Sequence, residues 1–178
     1  MKIILKMMML IRHVYTRIFE FFIMKNLKIT KQEKYSFKQQ LFNFQDAIKD
    51  VSDYSRNLMN LKQDYPWVSD PLRGLIDWTM SKKNLWVFFC HDSSRDCDDF
   101  SALAYHTLID KTNYKIKEWC VFVNKKLKRS HMIVTAQKKG EAKWYIFDNH
   151  KTYTLSTMSI KEIFNDIYQC GKMYVRYR

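Results

Sequence analysis

Glycine and proline are nearly missing from this chain, three and two in 178 residues. So few breakers exclude collagenous, low-complexity and linker-rich designs, and they predict a molecule dense in helix and strand. Long apolar runs are missing too. Within residues 1–27 the longest is Met7–Ile11, far short of the roughly 20 residues that cross a bilayer. The same stretch lacks the small residues of a signal-peptide cleavage site, so a cytoplasmic location is expected. The four cysteines, Cys90, Cys97, Cys120 and Cys170, form no CxxC pair, which argues for free thiols in a reducing compartment. Cys90-His91 with Cys97 has the wrong spacing for a zinc finger or ribbon.

What is present is apolar and aromatic: 47% hydrophobic residues and 16% Phe, Trp and Tyr, enough for a core without disulfide staples. The net charge of +13 is unevenly placed. Residues 1–38 hold 9 basic and 2 acidic side chains, and the remainder holds 22 against 16. The excess outside the N-terminus is ordinary for a soluble domain. No nucleic-acid-binding motif accompanies it, so no nucleic-acid partner is expected.

Residues 1–37 read as a basic amphipathic helical extension, and residues 38–178 as one domain. In the extension Ile4, Met7, Met8, Ile11, Tyr15, Ile18 and Phe22 recur at helical spacing. The stripe predicts a helix packed on the domain or a partner, with contact of residues 1–27 to a membrane surface as the weaker alternative. Lys38 to Lys62 predicts one long amphipathic helix, and Asp70-Pro71 opens a short one over Leu72 to Met80. Leu85 to Cys90 reads as a strand or buried segment, His91 to Asp96 as a turn, and Asp98 to Asp110 as a helix. Strands follow at Lys115–Val123, His131–Ala136 and Lys143–Phe147, parted by the basic turn NKKLKRS and by QKKGEA around Gly140. A helix over Ser159–Gln169 and a strand over Met173–Tyr177 end the chain. The fold class is α+β, a cysteine-opened helix followed by an antiparallel meander.

The segment richest in chemistry is Ser94-Arg95-Asp96-Cys97-Asp98-Asp99-Phe100-Ser101. A thiol at a helix start feels unpaired amide N–H groups and the positive end of the helix dipole, which favour thiolate and can hold an oxyanion. A thiolate needs an imidazole, and the imidazole an orienting acceptor. His131 begins one strand and Asp148 ends the next, so a hairpin around Gly140 would bring them together. Asp96, Asp98 and Asp99 crowd the thiol. They act as like charges that raise its pKa, as helix-start capping, or as oxygen ligands of a hard cation. Trp86 or Asp92 could add an oxyanion donor or a hydrogen bond. The basic turn Lys125, Lys126, Lys128 and Arg129, with Lys138 and Lys139, could steer acidic substrates toward the cleft beside His131.

The run DCDDFSALAYHTLID resembles the DCEDFA-type helix of the bacterial transglutaminase-like cysteine proteinases. HMIVTA is similar to their HAVLxV-type strand, and WYIFDN to their strand ending in Leu-Asp-Asn. The likeness covers residues 84–150, with Arg95 where glycine is usual and Met132 in place of a small residue. It implies a papain-like, transglutaminase-like core: a nucleophile helix packed on an antiparallel sheet. It also implies Cys97 as nucleophile, His131 as base and acid, and Asp148 as orienter. By the same likeness Asp96 and Asp98 take positions that bind calcium in some members, while no cofactor is required. The function implied is a thiol hydrolase, a peptidase or amidase acting on a protein or peptide substrate. Acyl transfer to an amine and an inactive binding scaffold are the alternatives.

Overall fold

The computed structural model describes residues 14–15, 17–18, 20–22, 24–68, 82–90, 95–111, 113–123, 130–149, 151–156, 159–170 and 173–176. The helix expected over Leu72 to Met80, most of the turn from His91, the basic turn at 124–129 and residues 1–13 lie outside them.

Thr30 opens the first labelled helix, α1 (Lys31–Ala47), with a capping box: its Oγ1 accepts from Glu33 N at 3.2 Å, and Glu33 Oε2 accepts from Thr30 N at 2.8 Å. These satisfy two of the amides a helix start leaves unpaired. The boundary at residue 37 falls inside this helix. The single helix expected over Lys38 to Lys62 is two, α1 and α2 (Val51–Asp64). Asp53 divides them: its Oδ2 accepts from Lys49 N at 3.1 Å and Asp50 N at 2.9 Å, which starts a new helix instead of continuing the old one. The bend turns Ile48 and Val51 fully inward. The run Leu85 to Cys90 is also helical, as α3 (Lys82–Cys90). Leu85, Trp86 and Val87 are consecutive and all buried, a pattern that a strand and an enclosed helix share.

The helix α4 (Cys97–Leu108) leads into β1 (Tyr114–Phe122), β2 (Ser130–Lys138), β3 (Trp144–Phe147) and β4 (Thr152–Leu155), then α5 (Ile160–Tyr168) and β5 (Met173–Arg176). The strand β4 was not anticipated; it pairs with β3 from Trp144↔Leu155 to Phe147↔Thr152. The sheet is antiparallel, in the order β4-β3-β2-β1-β5. Thus the last strand returns beside β1, and the meander gains a closing edge. Gly140, at φ +82°, makes the β2–β3 turn in a left-handed conformation that glycine adopts without strain.

Strand alternation sorts the core into two layers. Ile116, Val134, Ala136 and Phe147 face Phe100, Leu103, Ala104 and Leu108 of α4, with Ile48, Val51, Tyr54, Leu58 and Trp86 behind them. Trp119, Val121, Ile133 and Ile146 face Ile163, Phe164 and Tyr168 of α5 on the other side. Trp119 closes the second layer by donating Nε1–H to Thr135 Oγ1 at 2.8 Å. Helix α5 carries its own capping box, Ser159 with Glu162, and ends on Gln169 at φ 49°.

The described residues between 14 and 26 are helical, but the expected packing face is inverted. Tyr15, Ile18 and Phe22 are exposed, whereas Glu20 is buried. Glu20 is held by Arg17 and by Asn84 Nδ2, which donates to its Oε1 at 2.7 Å. Among the described residues this polar contact, with Leu27 packed against the core just beyond, attaches the segment to the domain, and the apolar stripe stays outside.

Candidate active site

The entry to α4 is tied down before Cys97 is reached. Arg95 exchanges backbone hydrogen bonds with Val68 at 2.8 and 3.0 Å. Its Nε donates to Pro66 O at 3.1 Å, and its guanidinium lies 5.9 Å from the Tyr65 ring centre. Arg95 is therefore a buried clamp that joins the entry of α4 to the segment just past α2. Asp96 is the N-cap, extended at φ −103°, and its Oδ1 accepts from Asp98 N at 3.2 Å. Cys97 is the first helical residue and is half-buried. Asp98 and Asp99 are buried.

The height of Cys97 on the sheet follows from the next turn. Ser101 lies on the same face of α4, and its Oγ donates to Glu118 Oε1 at 2.6 Å in the middle of β1. Because α4 leads by a short turn into β1 and packs over the sheet, the two run in opposite directions. Stepping back from Ser101 to Cys97 is about 6 Å, or two residues along β1 at about 3.3 Å each. That reaches Cys120, whose partner is Met132, beside His131.

The second half of the site is on β2 and β3. Asp148 follows β3, and continuing the register Val134↔Phe147 sets it opposite Ile133, diagonal to His131. The diagonal is short enough for a ring to span: His131 Nε2 lies 3.1 Å from Asp148 Oδ1. The other oxygen is occupied from α5, for Tyr168 Oη donates to Asp148 Oδ2 at 2.7 Å. The Tyr168 ring centre also lies 5.8 Å from that of His131. Burial first, then the charge of Asp148, holds the Tyr168 phenol far above its ordinary pKa, so it remains a donor. Tyr153 is raised by burial and then by the same carboxylate.

The structure thus joins His131 to Asp148, and the Ser101–Glu118 contact points the start of α4 toward the same end of the sheet. Alternation also separates them: His131, with Ile133 and Thr135, belongs to the α5 face, whereas α4 covers the face of Met132 and Val134. Helix α4 and the His131 ring therefore lie on opposite faces of β2, and the fold does not present Cys97 to the imidazole across one face as the hairpin reading expects. Met132 is buried toward α4. Tyr54, Leu58, Phe100, Ala104 and Phe147 close on Asp148 and Asn149 from that side.

Asp96, Asp98 and Asp99 have carboxylate oxygens within 4.8 Å of one another, a donor set suited to a hard cation. Capping accounts for the Asp96 oxygen that accepts from Asp98 N. Trp86 is core, its ring 5.3 Å from Phe44 and 6.3 Å from Tyr65; Asp92 lies outside the described residues. A cavity of about 440 Å³ opens at the far end of the sheet, beside Lys49, Lys111 and Lys138. Their amines already hold Asp46, the Ile48 carbonyl and Glu141, and it has no part in the His131 site.

Sequence reasoning missed Tyr168 and the Ser101–Glu118 pair. Glu118 was detectable, since Ile116, Glu118 and Cys120 alternate onto one face and a glutamate there breaks an apolar pattern. Tyr168 carried no such signal, as a tyrosine on an apolar helix face is ordinary core. No family model, curated protein or solved structure matches the chain.

Proposed function

We propose that this protein is a thiol hydrolase acting on amide bonds, with Cys97 as nucleophile, His131 as base and acid, and Asp148 as the group that orients the imidazole. The observation that carries the reading is the 3.1 Å contact between His131 Nε2 and Asp148 Oδ1, at the sheet end reached by the first turn of α4. With Nε2 held by the carboxylate, Nδ1 is the ring nitrogen that serves the thiol. The resemblance to transglutaminase-like cysteine proteinases and a papain-like core agree with this division of roles.

In the reaction the Cys97 thiolate adds to the carbonyl carbon, and amides of the first turn of α4 stabilise the oxyanion. The imidazolium gives its proton to the leaving amine as the C–N bond breaks. Water, deprotonated by the neutral imidazole, then cleaves the thioester to a carboxylic acid. An amine in place of that water gives acyl transfer, the near variant of the same site. The substrate is a protein or peptide. No cofactor is needed; calcium, when bound, would take Asp96 and Asp98, and a calcium titration followed by thermal unfolding tests for it.

Iodoacetamide at pH 6 tests the site directly. The reading expects stoichiometric alkylation of Cys97, lost in His131→Ala, because a thiolate at that pH needs the imidazolium. Full turnover of a peptide amide by Cys97→Ala would refute it.

A further inference from the structure

The helix over the described residues between 14 and 26 presents its apolar side outward. Val14, Tyr15, Ile18, Phe21 and Phe22 are 49–65% exposed, and at 3.6 residues per turn they form one stripe about 120° wide. The opposite side is committed, since Glu20 is held by Arg17 and Asn84 and Leu27, two turns on, packs against the core. The helix is thus fixed to the domain through Glu20 and Leu27, with five large apolar side chains outward, an arrangement that marks an interaction surface. In the sequence the same spacing continues back through Ile11, Met8, Met7 and Ile4.

Charge selects the occupant. Residues 1–38 hold nine basic and two acidic side chains, and Lys25, Lys28, Lys31, Lys34 and Lys38 are exposed. So dense a positive field repels a second copy of the same face and attracts an anionic one. An exposed aromatic stripe that includes Lys25 and is followed along the chain by further exposed lysines has the form of a helix that lies in a lipid interface. We propose that this face docks the domain on an anionic bilayer surface, the apolar stripe entering the headgroup region and the lysines meeting lipid phosphates. No described helix is long and apolar enough to cross a membrane, so the contact is with the surface. The proposal is independent of any role for Cys97.

Sedimentation of the full chain with vesicles tests it. Phosphatidylcholine vesicles containing phosphatidylglycerol should bind at least about tenfold more strongly than phosphatidylcholine alone, and added salt should weaken the binding. Phe21→Asp with Phe22→Asp should lower partitioning about tenfold or more. Both positions are exposed, so an unchanged circular dichroism spectrum is expected of that variant. Lys25→Glu with Lys28→Glu should reduce binding to the anionic vesicles selectively. Failure to bind the anionic vesicles, or equal binding to both kinds, overturns the proposal. A dimer in solution that the double Phe variant dissociates, without vesicle binding, overturns it in favour of a second copy. Binding to an acidic protein alone, with vesicles left untouched, overturns it equally.

Discussion

Tyr168 Oη donates to Asp148 Oδ2 at 2.7 Å, from the last residue of α5 to a carboxylate whose other oxygen faces His131. Asp148 is buried, so each oxygen needs a partner to offset lost hydration. Tyr168→Phe keeps the ring packing on Phe164 and removes only the donor. It should lower stability by about 1.5–3 kcal/mol, the range for a hydrogen bond to a charged group, read as a fall in the urea midpoint without change in slope. An unchanged midpoint would show that this bond does not hold the carboxylate.

Asp148→Asn is close to isosteric and leaves an acceptor for Tyr168, but it removes the negative charge beside the imidazole. Alkylation of Cys97 at pH 6 should slow about a hundredfold, the scale of a disabled acid–base partner. The urea midpoint should move much less than in Tyr168→Phe. Equal rates for the variant and the parent would separate Asp148 from the chemistry.

Ser101 and Glu118 form a second buried polar contact, between α4 and β1, at 2.6 Å with Glu118 fully buried. Ser101→Ala takes one donor from that carboxylate and should cost about 2 kcal/mol. Ser101→Ala with Glu118→Met removes both partners and should recover most of the loss, since an apolar pair of similar volume often replaces a buried charged one. A thermodynamic cycle over the four proteins measures the coupling. A double variant less stable than Ser101→Ala would count against this account.

Burial pushes the Cys90 thiol up to about 11, from an ordinary value of 9.0, with Tyr65 and Arg95 pulling weakly the other way. The sign follows from linkage. Below pH 9 both folded and unfolded chains hold the proton, and Cys90 adds no pH dependence. Between about 9 and 11 only the unfolded chain releases it, so stability falls as pH rises, and the loss is complete above 11. Urea midpoints from pH 8 to pH 11 should therefore decline, and Cys90→Ala should decline less over that window. Parallel curves for the two proteins would place the alkaline sensitivity elsewhere, for instance in the buried phenol of Tyr54, which burial also raises.

Legibility differed from element to element for identifiable reasons. The helix from Cys97 was readable because Asp96 caps it and the apolar face of Phe100, Leu103 and Ala104 has helical period. The strands β1, β2 and β3 were readable because turn residues separate β-rich runs. The break at Ile48 was not, since the hydrophobic period runs through it and only a local Asp53 cap interrupts the helix. The helix α3 was misread because an apolar run enclosed on several sides loses the polar face that distinguishes periods of 3.6 and 2. Four residues with two polar side chains made β4 too short to register as a strand; β3 recruits it by pairing.

Local pattern alone carried the α+β class, the cysteine at a helix start, and the hairpin that lets His131 and Asp148 meet. Each of these depends on caps, turns and alternation over a few neighbouring residues. The folded chain revealed that Tyr168 takes the second oxygen of Asp148 and that Arg95 clamps the entry to α4. It alone placed His131 on the α5 face, and it alone turned the N-terminal stripe outward. These depend on which surfaces meet across long stretches of chain. A buried carboxylate or an exposed phenylalanine is defined by its neighbours in space, and local periodicity carries no record of them.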